Sequence, residues 1–191
     1  MSETQTALEA PRPERVVETR DERGLTLTYR WFTPAHLFML FFCIFWDGFL
    51  VFWYGIALTR GAGPTDVMLW FPLLHVAVGV GLTYSTLAGF LNRTSLVVGN
   101  GELVVRHGPI PWFGNRTVSS TDLRQVYREE TLSHSRRGRR ASYHLSAVTL
   151  DNRKLRVLSN VPGADVALYV EQALERALGL EDRKVAGEMP K

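Results

Sequence analysis

Asp47 is the residue whose type and place most demand a chemical account. It stands inside residues 35–58, AHLFMLFFCIFWDGFLVFWYGIAL, a run with one acid, one histidine and no Lys or Arg. A carboxylate near the middle of such a run costs roughly 2.5–3.5 kcal/mol in a bilayer unless it is neutralised or paired. His75 lies in a second run, residues 67–91, VMLWFPLLHVAVGVGLTYSTLAGFL, which lacks Asp, Glu, Lys and Arg altogether. If the chain folds back near residues 62–63, Asp47 comes level with about Val78, and His75 lies one helical turn away towards the connector. An Asp47–His75 hydrogen bond or ion pair is then within reach. Such a pair serves either as a proton or ion pathway, or as a polar clasp that fixes helix packing or draws subunits together. The clasp is the plainer reading, because two helices alone rarely enclose a pathway.

Arg136-Arg137-Gly138-Arg139-Arg140 is the densest charge in the chain and falls in a long loop between two predicted strands. Near a cytoplasmic leaflet each basic residue gains about 1 kcal/mol from anionic headgroups. Arg136, Arg137, Arg139 and Arg140 are therefore a candidate lipid or anion site, against the alternative of a solvated loop. Nucleic acid would be held through phosphates only, and no aromatic residues interleave for base stacking, so it is not an expected partner. Ser133-His134-Ser135, His107 and His144 have the residue types of hydrolase or metal sites, but no nucleophile elbow, HExxH, CxxC or phosphate loop accompanies them. No catalytic residue, metal ligand or cofactor is expected. The apolar turn GPIPWFG, residues 108–114, either dips Trp112 and Phe113 into a membrane interface or packs them over a sheet.

The elements that must position these residues begin with a membrane hairpin. The near-zero mean hydropathy averages an apolar stretch from Trp31 to Leu91 with two charged flanks, and the basic excess lies in residues 92–191, with 16 Lys/Arg against 11 Asp/Glu. Each run is long enough to cross a core of about 30 Å at about 1.5 Å per residue. The connector Thr59–Asp66, rich in Gly and Pro, forces a reversal. A cleaved signal peptide is not expected, because the first run starts late, is too long and is followed at once by the second. Thr33 is placed to cap the first helix and Pro34 to open it. Pro72 is placed to bend the second helix near its start. Gly79, Gly81, Ser85 and Gly89 are small enough to let the helices approach closely. Arg15, Arg20, Arg23 and Arg30 precede the pair and Arg93 and Arg106 follow it, while the connector holds only Arg60. Both termini are expected in the cytoplasm. The lone Cys43, inside the first run, excludes an intramolecular disulfide and any cysteine metal cluster.

Residues 1–30 read as a polar, flexible N-terminal segment, 31–92 as the hairpin, 93–180 as a folded domain and 181–191 as a flexible tail. After Arg93 the period shortens and alternates, which predicts strands at Thr94–Val98, Glu102–His107, Arg116–Ser119, Leu123–Glu130, Ser142–Leu150 and Lys154–Ser159. Gly99-Asn100-Gly101 and Asp151-Asn152 are the tight turns. Gly163–Leu178 then turns helical, with Val166, Val170, Ala173/Leu174 and Ala177/Leu178 on one stripe and Gly179 to end it. The expected fold class is a membrane α-helical hairpin plus an α+β domain: an antiparallel sheet closed at one end by a single C-terminal helix.

The segments TSLVVGNGELVVRHGPIPW, NRTVSSTDLRQVYREE and YHLSAVTLDNRKLRVLSNV and the helix ADVALYVEQALERAL resemble, in that order, the bacterial pleckstrin-homology-like domains that follow paired membrane helices. The resemblance covers about residues 94–178. It implies a PH-like sheet or barrel capped by one helix and a binding or scaffolding role, and it carries no site residues. The whole chain also resembles uncharacterised bacterial two-span membrane proteins, some of which carry an N-terminal zinc ribbon whose cysteines this chain lacks. The expectation is a non-enzymatic module at the inner face of the bacterial cytoplasmic membrane. Its expected partners are membrane lipids and a protein partner or a second copy of itself. The rivals are an accessory subunit of a larger membrane complex, and a small oligomeric channel or transporter lined by Asp47 and His75.

Overall fold

The computed structural model of the protein describes residues 10–22, 24–63, 65–135 and 138–180. The chain divides into two compact units: Trp31–Asn92 with Gly108–Ile110, and a β unit built from the segments on either side. The first unit contains α1 (Ala35–Thr59), a short α2 (Val67–Trp70) and α3 (Leu73–Leu91). Ala35–Thr59 and Val67–Leu91 are long and apolar enough to span a membrane, and only 11% of an 18-residue apolar stretch in each is buried. A core helix of a water-soluble protein would be mostly covered, whereas here Phe41, Phe45, Val51 and Phe52 are open along α1.

The two long helices meet along a narrow seam. Cys43, Leu50 and Ala57 recur every seven residues on α1 and are its buried positions, and Gly79, Thr86, Ala88 and Gly89 are those of α3. A seven-residue period is the signature of side chains interlocking along a left-handed crossing. The fit is tight at two glycines: a Cβ on Gly79 would stand 2.7 Å from Asp47 Oδ1 and one on Gly89 would overlap the His36 ring, so those side chains would have to shift. Gly81 and Ser85, expected at the seam, lie off it. Gly81 faces open space, and exposed Ser85 donates back to the Gly81 carbonyl at 2.8 Å. Thr33 does not cap α1 through its side chain. Its N–H donates to His36 Nδ1 at 3.0 Å, so His36 reaches back to satisfy a donor that no intrahelical carbonyl serves.

Pro72 interrupts the second span as its missing N–H requires, because Met68 O loses the partner it would have had four residues on. In hydrocarbon an unsatisfied carbonyl costs several kcal/mol. Trp53 Nε1 donates to Met68 O at 3.0 Å and Tyr54 OH to Leu69 O at 3.1 Å. The aromatic pair of α1 thus repairs the break that the proline makes in the second span.

The β unit holds a five-stranded antiparallel sheet in the order β1 (Val16–Asp21), β2 (Gly24–Arg30), β3 (Arg93–Gly99), β4 (Glu102–Gly108), β5 (Arg116–Ser119). A second, three-stranded sheet holds β6 (Leu123–Ser135), β7 (Gly138–Thr149) and β8 (Lys154–Val161). The N-terminal segment is therefore corrected. Val16–Arg30 is two strands of the domain rather than a flexible leader, because Leu25, Leu27 and Tyr29 alternate with polar residues and bury one face against the core. Ala10 N–H further docks on Gln172 Oε1 at 2.8 Å, and Tyr169 OH donates to Glu18. The helical hairpin is an insertion between two paired strands: Arg30 is the register partner of Arg93, and Trp31 N–H donates to Asn92 O at 3.1 Å.

Asn100 and Gly101 both have positive φ, as a two-residue turn of this hand requires, and Asn152 does likewise before β8. α4 (Ala164–Leu178) packs on β3, β6, β7 and β8 through Val166, Val170, Ala173 and Leu174. It ends at Gly179 in the left-handed conformation. Two acids, Glu171 and Glu175, join that stripe unexpectedly. Glu171 is fully buried and meets Arg128 Nε of β6 at 2.7 Å, and its other oxygen accepts the Arg128 N–H at 3.2 Å. A buried charge is tolerated when it is so matched.

Candidate functional site

Three groups of side chains carry chemistry, and the first lies within the hairpin. Asp47 Oδ2 accepts from Thr83 Oγ1 at 2.7 Å. His75 does not reach Asp47. Its ring stacks on Trp46 and meets Phe71 at a tilt, with centroids 5.7 Å away in each case, its carbonyl accepts from Trp46 Nε1 at 3.1 Å, and its Nδ1 has no hydrogen-bond partner among the described residues. The direction of side chains on a helix explains the choice. Residues 75, 79 and 83 share one stripe of α3, but every Cα–Cβ bond leans towards its own N-terminus. On antiparallel helices Asp47 leans away from the connector and Thr83 towards it, so those two converge. His75 leans away from Asp47. One layer further along, Cys43 Sγ and Thr86 Oγ1 lie 3.5 Å apart, which makes a second polar contact across the same seam.

The second group is the basic segment. Where a loop was expected, β6 and β7 run on as a long antiparallel arm, with Thr131 opposite Ser142, Ser133 opposite Arg140, His134 opposite Arg139 and Ser135 opposite Gly138. Arg139 and Arg140 are in β7, and Arg136 and Arg137 lie outside the described residues.

Glu129 centres the third group. It accepts from Tyr127 OH at 2.9 Å, Ser146 Oγ at 3.0 Å and an Arg156 guanidinium N–H at 3.3 Å, all on one face of the three-stranded sheet. Burial, the largest single influence, pushes the Glu129 pKa up, but the hydrogen bonds from Tyr127, Ser146 and Arg156 and the Arg156 charge together outweigh it and hold the pKa below the usual value. Burial and the Glu129 hydrogen bond and charge push Tyr127 up to about 12. His144 sits two residues from Ser146 on the same strand face, but its Nδ1 accepts the Asn160 N–H at 3.3 Å while Ser146 is turned to Glu129. Burial, then the Arg156 cation, lowers the His144 pKa, and burial followed by Arg116 lowers that of His107. His107 Nδ1 is 2.9 Å from Thr94 Oγ1. These polar groups are committed to one another rather than presented to a substrate.

Two further features were not legible in the sequence. A pocket of about 490 Å³ opens where β1, β2, β3 and the end of α4 meet, lined by Arg20, Asp21, Gly24, Gly99 and Arg176 among others. It lies at the ends of β2 and β3 opposite to those that join the helices. The Asn92 side chain also clasps the Ile110 backbone: Oδ1 accepts the Ile110 N–H at 2.7 Å and Nδ2 donates to Ile110 O at 3.0 Å. The turn that follows presents Phe113, 88% exposed and so not packed over the sheet, in edge contact with Trp112 at 6.1 Å. Compared with known proteins, the sequence matches no family model and no curated protein.

Proposed function

We propose that the chain is an integral protein of a bacterial cytoplasmic membrane whose β unit, a PH-like domain, is a non-enzymatic binding or scaffolding module at the inner leaflet. The observation that carries the reading is the insertion of a lipid-compatible helix pair between adjacent strands β2 and β3. A pair of 25-residue helices with rows of open Phe and Val side chains has no stable place in water, where burial of each such side chain is favoured by about 1.5–3 kcal/mol. A strand at each end of the insertion ties the domain to the bilayer at two points. Two crossings would put both termini on one side, and the arginines that flank the pair support the cytoplasm as that side.

Binding rather than catalysis is supported by the satisfied state of the Glu129 network and by the sequence density of Arg136, Arg137, Arg139 and Arg140. A polybasic segment at an anionic leaflet gathers headgroups or an acidic protein partner. Asp47 held by Thr83 supports a packing role over a pathway. Reporters fused to either end of the full chain are expected to read cytoplasmic and one within Gly61–Gly63 external. An external C-terminal reporter overturns the orientation. Replacing the four arginines with Ser is expected to reduce crosslinking of the arm to anionic lipid in native membranes, and unchanged crosslinking removes the headgroup reading.

A further inference from the structure

Arg30 and Arg93 are register partners on the last rung of the β2–β3 ladder, and both are exposed. Directly opposed side chains on an antiparallel pair have Cβ atoms about 4.5–5.5 Å apart. Two guanidinium groups therefore share the point at which the chain leaves one strand for α1 and returns from α3 to the next. The closeness of this face is visible two residues further in, where Thr28 Oγ1 and Ser95 Oγ lie 3.2 Å apart. A third cation joins them. Thr94 Oγ1 meets His107 Nδ1, so His107 stands beside Thr94 and the exposed Arg106 stands beside Ser95, on the face that bears Arg30 and Arg93. None of the three arginines is in an ion pair among the described residues. Like charges directly opposed across a strand pair are destabilising. A phosphate between them would reverse the sign of that contribution, because each guanidinium fork matches phosphate oxygens in a bidentate way and the Thr28 and Ser95 hydroxyls supply further donors.

We propose that Arg30, Arg93 and Arg106 form a clamp for the phosphate of one anionic phospholipid in the leaflet that the helical hairpin enters. The proposal rests on the membrane-anchored reading and adds a site to it. A lipid is the occupant because the clamp is fixed by chain connectivity: Arg93 is two residues from the end of α3 and Arg30 five from the start of α1. The phosphate depth of a leaflet is where such residues come to lie.

The test uses the full chain in neutral detergent, with phosphatidylglycerol, phosphatidylcholine or inorganic phosphate added. Without lipid, the double variant Arg30→Gln/Arg93→Gln is expected to melt about 2–4 °C above the unaltered chain, because a repulsion has gone. Phosphatidylglycerol is expected to reverse that order, and native mass spectrometry to show one phosphatidylglycerol retained per unaltered chain and about tenfold less on the variant. A merely structural role for these arginines would not produce the reversal. Equal responses of the two chains to phosphatidylglycerol overturn the clamp. A response to inorganic phosphate equal to that of the lipid assigns the chemistry to free phosphate and overturns the lipid. Arg30→Lys/Arg93→Lys keeps both charges, and retention by it as strong as by the unaltered chain overturns bidentate recognition even if the Gln variant misfolds. Alkaline extraction of the chain from membranes keeps the two readings apart. Release into the soluble fraction defeats the membrane anchor itself, whereas resistance with a failed lipid response defeats only the clamp.

Discussion

Removing residues 1–30 is the sharpest perturbation of this fold, because a polar leader could be cut without loss and a pair of core strands could not. Val16, Leu25 and Leu27 are buried. At about 1.5–3 kcal/mol each they supply roughly 5–9 kcal/mol of transfer free energy. A whole domain is stable by only about 5–15 kcal/mol. Deletion also strips β3 of its ladder from Leu25–Arg30 and leaves a long unpaired edge, a template for aggregation. Residues 93–180 alone are thus expected not to fold. A chain in which residues 10–30 are joined to 93–180 by an Asn-Gly turn should fold, because Arg30 and Arg93 are already opposed in register as the flanks of a two-residue turn would be. Circular dichroism and urea titration of the two soluble chains decide the matter. A cooperative transition for 93–180 at the same midpoint as the joined chain would refute the argument.

Trp53→Phe removes the donor to Met68 O and is expected to lower the thermal stability of the detergent-solubilised chain by about 1–3 kcal/mol; Pro72→Ala restores a backbone N–H there, so equal losses in both backgrounds would disprove the repair. Asp47→Asn keeps an acceptor for Thr83 and should leave expression and stability near those of the unaltered chain, while Asp47→Leu should cost about 0.6–2 kcal/mol. A pH-dependent ion flux lost in Asp47→Asn would show a pathway instead. His144, His107 and Glu129 all have pKa values lowered on folding, so the folded state binds fewer protons than the unfolded chain. Stability is then complete above about pH 6.5, falls as the histidines are forced to charge, and falls again below about pH 4.5 as Glu129 is protonated. Melting temperatures that stay level from pH 7.5 to 4 would contradict this.

The strands from β3 onward were legible because each alternates locally and is bounded by Gly, Asn or Asp turns, and the two apolar runs because length and composition suffice for them. Leu25-Thr26-Leu27-Thr28-Tyr29 alternates as cleanly, yet its charged surroundings gave it the look of a leader. Its partner β3 stands beyond the whole hairpin, and no local pattern shows a pairing at that separation. The Asp47 site was half legible. Fold-back arithmetic placed it level with about Val78, next to the Gly79 it meets, but selecting Thr83 over His75 required the lean of side chains along antiparallel helices. Glu171 was illegible for another reason. Its position on the stripe between Val170 and Leu174 signals burial, but only the three-dimensional arrival of Arg128 shows how a charge survives there.

If the helices cross a membrane as proposed, their insertion between β2 and β3 ties closure of the sheet to the path of the chain across the bilayer. β1 and β2 leave the ribosome first and have no β3 to pair with until both apolar segments have been threaded and Arg93 has emerged. The two halves of the sheet then meet only if the chain has crossed the bilayer an even number of times. On the same reading, a molecule stalled after one crossing holds β2 and β3 on different sides and leaves an open sheet edge. A closed sheet then excludes an odd number of crossings, because β2 and β3 pair along their whole length.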